Sequence, residues 1–126
     1  MPRRESIRFR DVELVLRLKC AEGIVLGPGR AELLERIDRL GSISAAARDM
    51  GMSYRHAWKL LDLMNRLFHE PVIQASHGGR QRGQAVLTPV GRNVLDGYRQ
   101  MTRKAKTAVR SEVASVRRLI VGGRGR

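Results

Sequence analysis

A chain of 126 residues allows one domain of ordinary size with room for one projecting element. Apolar residues make up 42% and aromatics only 4%, which excludes wholesale disorder and leaves a core of Leu, Val, Ile, Ala and Met. Lys and Arg number 25 against 12 acidic residues, and the resulting charge of +13 must face a polyanion, nucleic acid first with an anionic membrane surface or an acidic protein as competitors, or be tolerated as self-repulsion.

The first ten residues carry Arg3, Arg4, Arg8 and Arg10. From Asp11 the pattern alternates, with Val12, Leu14, Leu16 and Leu18 apolar and Val15 the one break, which predicts a strand. Ala21-Glu22-Gly23 reads as a turn and Ile24-Val25-Leu26 as the returning strand, so residues 1–26 are expected to form a basic segment and a β-hairpin. A first helix is predicted from Gly29 to Leu40, with Leu33, Leu34, Ile37 and Leu40 on one face and Gly41 as its stop. A second opens at Ser44, read as its N-cap, and runs to Met50 before Gly51. Ser53 caps a third reaching about His69, with Ala57, Trp58, Leu61, Met64, Leu67 and Phe68 spaced three or four apart.

Pro71 closes that helix. Val72-Ile73 starts a strand, Ser76 to Gln84 forms a Gly- and Arg-rich tip, and Ala85-Val86-Leu87 returns. Thr88-Pro89 opens a last helix extending to Ile120. Its apolar seam, Val94, Tyr98, Met101, Ala105, Val109, Val113 and Val116, has near-heptad spacing. This seam suits pairing with a second copy, or folding back on its own domain. Residues 121–126 read as a disordered basic tail. The expected fold is mainly α with a small antiparallel β component: a winged helix-turn-helix over 27–88, an N-terminal β-hairpin, and a long dimerisation helix over 89–120.

Ile43 to Leu60 meets the physical requirements of a helix-turn-helix. Ala46 and Ala47 let two helices cross closely, Gly51 suits a turn that needs positive φ, and Met50, Met52, Ala57 and Leu60 fall where the helices share a core. The second helix would enter a major groove with Ser53, Tyr54, Arg55, His56 and Lys59 foremost. Arg55 suits a guanine edge; Ser53, Tyr54 and Lys59 suit phosphates, and His56 suits either. Acidic residues are absent from this surface until Asp62. Ser44 joins the set, and Arg80 and Arg82 on the tip would reach phosphates or a minor groove, making the hairpin a wing. Trp58 is read as core. A solvated basic helical hairpin and a loop kept soluble by its charges are the plain alternatives.

Taken together, Gly41-Ser42-Ile43-Ser44-Ala45-Ala46-Ala47, Gly51-Met52-Ser53-Tyr54-Arg55-His56-Ala57-Trp58, Met64-Asn65, Gly78-Gly79, Ala85-Val86-Leu87-Thr88 and Gly91 closely resemble the DNA-binding domain of the ModE family of molybdate-responsive regulators. The resemblance covers about Gly27 to Met101 and extends, more distantly, to the winged domain of LysR-type regulators. It implies a homodimer in which the last helix pairs protomers and two recognition helices read a palindromic operator. Full ModE proteins carry a C-terminal molybdate-binding region, and nothing in this sequence resembles an oxyanion-binding module. A single-domain form is therefore expected, with molybdenum- or tungsten-related gene control as the family expectation.

No paired carboxylates, nucleophile–base arrangement or metal-ligand spacing is present, so the reading is not an enzyme, with no cofactor and no metal. Cys20 is the sole cysteine, so a disulfide framework or Cys-rich zinc site is excluded. No run of 18 apolar residues and no signal-peptide core follow Met1, so a cytoplasmic protein without membrane attachment is expected. The expected partner is double-stranded DNA, bound either with sequence preference or, as the competing reading, by charge alone through Arg99, Arg103, Lys104, Lys106, Arg110, Arg117 and Arg118.

Overall fold

The computed structural model describes residues 12–76 and 83–120. The chain divides into two units, residues 16–100 and residues 1–15 with 101–126. The elements run β1 (Leu18–Cys20), β2 (Gly23–Leu26), α1 (Pro28–Leu40), α2 (Ile43–Asp49), α3 (Tyr54–Leu67), β3 (Ile73–Ala75), β4 (Ala85–Leu87), α4 (Pro89–Ala108) and α5 (Arg110–Arg117). This is the expected mainly helical winged architecture.

The core of the 16–100 unit is an apolar cluster in which Leu33, Leu34, Ile37, Ala46, Ala57, Leu61, Met64 and Val72 are fully buried. Period 3.6 explains the helical members: each helix turns one stripe inward, and the small Ala46, Ala47 and Ala57 lie where α2 and α3 pack closest. Leu40, expected on the inner face of α1, is 41% exposed. Gly27 is the N-cap of α1 with Pro28 in the first turn, and Gly41 closes the helix by donating its N–H to the Ile37 carbonyl at 2.7 Å.

Three expectations are corrected. Among the described residues of the expected first strand, residues 12–17 are not in a strand and only Leu18–Cys20 pairs with β2, across the Ala21-Glu22 turn and with a register shift at Leu18/Lys19. Asp11 lies outside the described residues. The N-cap of α2 is Ser42, whose Oγ accepts the Ala45 N–H at 3.1 Å, and Ser44 is an exposed residue inside the helix. Ser42 is extended, at φ −152° and ψ 131°, and the helix starts at the next residue, Ile43, which is 1% exposed. The last helix is interrupted at Val109, whose φ of −112° and ψ of 21° fall outside the helical range, giving α4 and α5 in place of one rod. Backbone hydrogen bonds flank the break, Val109 N–H to Ala105 O and Val113 N–H to Val109 O.

The wing sheet pairs β3 with β4 antiparallel, Ile73 opposite Leu87 and Ala75 opposite Ala85. The Ala85 N–H donates to the Gly41 carbonyl at 3.0 Å, and Ser42 forms an isolated antiparallel bridge with Gln84, so the α1–α2 junction is tied to the two-stranded wing. Val72 anchors the other edge. Its N–H donates to Asn65 Oδ1 at 2.8 Å and its carbonyl accepts the Thr88 N–H at 3.0 Å. Thr88 then caps α4, its Oγ1 accepting the Gly91 N–H at 3.0 Å.

In the 101–126 unit, Arg117 donates through its guanidinium to the Val12 carbonyl at 2.7 and 3.1 Å. Val12, Leu14, Val109, Val113 and Val116 line an apolar groove of about 400 Å³ there. The expected tail at 121–126 lies outside the described residues.

Candidate nucleic-acid interface

The turn between α2 and α3 rests on Gly51, at φ 71°, a left-handed conformation that side chains disfavour. The Met52 N–H donates to the Ala47 carbonyl at 2.9 Å, folding the chain back so that α3 starts immediately after the turn. Ser53 caps α3 by accepting the His56 N–H at 3.0 Å. With the inner stripe Ala57, Leu61 and Met64 buried and Trp58 and Leu60 half-buried beside it, the other positions of the first two turns face outward.

Ser53, Tyr54, Arg55, His56 and Lys59 are all exposed, and the structure brings them together on one end of α3. Ser44 is exposed near the start of α2, on the other helix of the motif. Arg80 and Arg82, expected at the wing tip, lie outside the described residues, as does His77. The hairpin that carries them is described up to Ser76 and from Gly83, where the Ser76 N–H donates to Gln84 O at 2.9 Å.

Tyr54, Arg55, Trp58, Lys59, Asp62, Leu63 and Arg66 line a groove of about 830 Å³ along the outer face of α3. Trp58 was expected in the core. It packs against the core and also borders this groove, with the Tyr54 ring set edge-on at 6.3 Å and 81°. The i, i+4 spacing of Tyr54 and Trp58 is the sequence signal that marks this pair.

Electrostatics favour an anion on this face. Several acidic side chains elsewhere, on α1, α2 and α4, are engaged by arginines of α1 and α4. Arg36 pairs with Glu32 and Asp49, both at 2.8 Å, and Arg39 reaches Asp49 at 3.5 Å. Arg92 grips both oxygens of Asp38, and Arg99 holds Glu35. The hydrogen bond from Arg92, reinforced by its charge and that of Arg99, holds the Asp38 carboxyl below its ordinary range. The α3 groove carries net positive charge of its own, since Arg55, Lys59 and Arg66 line it with Asp62 as the single acidic lining residue.

The expected dimer seam is split. Tyr98 is buried in the 16–100 unit with its hydroxyl donating to the Leu16 carbonyl at 2.8 Å, and Val94 packs against the same core. Both therefore serve their own domain. Met101 and Val116 are exposed, at 36% and 57%, while Ala105, Val109 and Val113 are half-buried. Among the described residues no group of three or more His, Cys, Asp or Glu side chains is placed to hold a metal ion, and no helix is long and apolar enough to cross a membrane.

Comparison with known proteins bears on this site. The family model described as bacterial regulatory helix-turn-helix protein, lysR family, matches residues 29–92, just over half of the chain. The molybdenum-pterin-binding protein MopB of Rhodobacter capsulatus is 46% identical over 87 residues, covering 64% of this chain and 32% of that protein. The DNA-binding transcriptional dual regulator ModE of Escherichia coli K12 is 37% identical over 88 residues, 70% of this chain and 34% of its own length. The matched region thus spans about a third of these curated relatives. Among solved structures, a CbnR DNA-binding domain in complex with DNA superposes with a TM-score of 0.55 at 18% identity, covering 69% of this chain and 95% of that one. That likeness establishes the winged helix-turn-helix fold.

Proposed function

The chain belongs to the lysR family of bacterial regulatory helix-turn-helix proteins, and from that premise we propose that it is a transcription regulator of the ModE kind that reads a palindromic operator in duplex DNA as a dimer. The observation that carries the reading is the exposed row Ser53, Tyr54, Arg55, His56 and Lys59 at the capped start of α3, directly after the Gly51 turn. In this reading Arg55 takes a guanine edge and Ser53, Tyr54 and Lys59 position the helix on phosphates. Ser44 on α2 and Arg80 and Arg82 on the wing add backbone contacts. Met101, Ala105, Val109, Val113 and Val116 supply the apolar face for the second protomer, without Val94 and Tyr98. The names of the similar proteins support a place in molybdenum-related gene control.

A selection from random duplexes at about 150 mM salt tests the proposal, because affinity without a stated salt concentration carries little meaning. Recovery of one two-fold symmetric site is the expected outcome, with Arg55→Ala weakening the preferred site by about 1–3 kcal/mol and relaxing preference at one position per half-site. Tight, salt-sensitive binding without any enriched sequence would instead support a nonspecific DNA-coating protein. The exposed Arg103, Lys104, Lys106, Arg110 and Arg118 favour that second reading.

A further inference from the structure

We propose that the ring of Tyr54, beyond the phosphate contact given above to its hydroxyl, reads the 5-methyl group of a thymine in each half-site, with Trp58 acting as the positioning residue that holds the ring; this rests on the DNA-binding reading above. The chain has five aromatic residues in all, one Trp, two Tyr and two Phe, and two of them meet on the groove face of α3. Tyr54 is 49% exposed at the first helical position, where a helix entering a major groove leads with its side chains. No hydrogen bond of its hydroxyl is present among the described residues, so the ring is held by packing. The Trp58 contact, edge-on at 6.3 Å, provides that packing. Trp58 is itself half-buried against the core, which gives the pair a rigid base.

The chemistry of the groove selects the ligand group. Arg55, Lys59 and Arg66 supply donors for guanine edges and phosphates, and Asp62 supplies an acceptor for a cytosine amino group. None of these can favour thymine over uracil. The 5-methyl group is the one apolar feature a base presents in the major groove, and a fixed aromatic edge is the matching surface. Polar contacts alone would leave Tyr54 exposed in the complex with nothing to bury.

The test uses the full chain and its selected duplex, with each thymine replaced in turn by deoxyuridine. Loss of about fourfold in affinity at one symmetric pair of positions, the worth of one buried methyl group, is expected for the unaltered protein. Tyr54→Phe should keep that methyl dependence, and Tyr54→Ser should bind thymine and uracil duplexes equally. Trp58→Leu should reduce the dependence in parallel, and Trp58→Phe should retain it. Uniform affinity across all deoxyuridine duplexes, or a methyl effect that survives Tyr54→Ser, would overturn the assignment while leaving the regulator intact. Absence of any preferred site would remove the underlying reading and this inference with it.

Discussion

Gly91 is the residue on which the docking of α4 depends most directly. A Cβ built there would lie 2.0 Å from the Val72 carbonyl oxygen, and the atom it meets is backbone with no freedom to swing aside. Gly91→Ala is therefore expected to destabilise the 16–100 unit by about 3 kcal/mol, the upper end for an overpacked core. A thermal melt beside Gly97→Ala, where the added Cβ meets nothing within 4 Å, checks this. Equal melting temperatures for the two variants would disprove the steric account. The glycine itself was visible as part of the family resemblance, but its reason was not. Nothing in the sequence around position 91 announces that the Val72 backbone lies against it.

At the scale of elements, the helix starts separate what local pattern can reveal from what it cannot. Ser53 and Gly51 were legible because a cap and a positive-φ turn are settled within a few residues. The start of α2 was misread because Ser42 and Ser44 both satisfy the local rule. The hydrogen bond from the Ala45 N–H to Ser42 Oγ identifies Ser42 as the cap. Ser42→Ala should cost about 1 kcal/mol of unfolding free energy in denaturant. Ser44→Ala, at an exposed position that caps nothing, should stay within about 0.5 kcal/mol. The reverse ranking would restore Ser44 as the cap. The last helix shows the same limit: the apolar repeat ran smoothly through Val109, where the backbone departs from helical geometry.

For the molecule as a whole, the charge of +13 is unevenly countered. Asp38 is bound by Arg92 on α4, and its carboxyl titrates below the ordinary 3.8. The sign follows from linkage: the folded state releases this proton more readily than the unfolded chain. The pair's stabilisation is thus fully present above about pH 4 and is lost as pH falls through the lowered folded-state value. Asp38→Asn should melt below the unaltered protein at pH 7, and the gap should close in that acid range. A gap that persists unchanged at pH 2 would refute the pairing as its cause. The pair is partly exposed, with 33% of the Asp38 side chain accessible, so the effect should also shrink in high salt.

The sequence by itself determined the helix-turn-helix, the Ser53 cap, the wing strands, the basic charge and the inward stripes of α1 and α3, except for Leu40 and Leu67, each expected on its stripe and each 41% exposed. Each of these is set within one or two helical turns, or by composition. Tertiary structure alone decided the contacts that join distant segments: Arg92 to Asp38, and Tyr98 to the Leu16 carbonyl. It also took Val94 and Tyr98 off the expected seam and set Trp58 between core and groove. A periodic pattern states that a side chain lies on an apolar face. Which surface that face meets depends on where the rest of the chain comes to lie, and no local spacing encodes it.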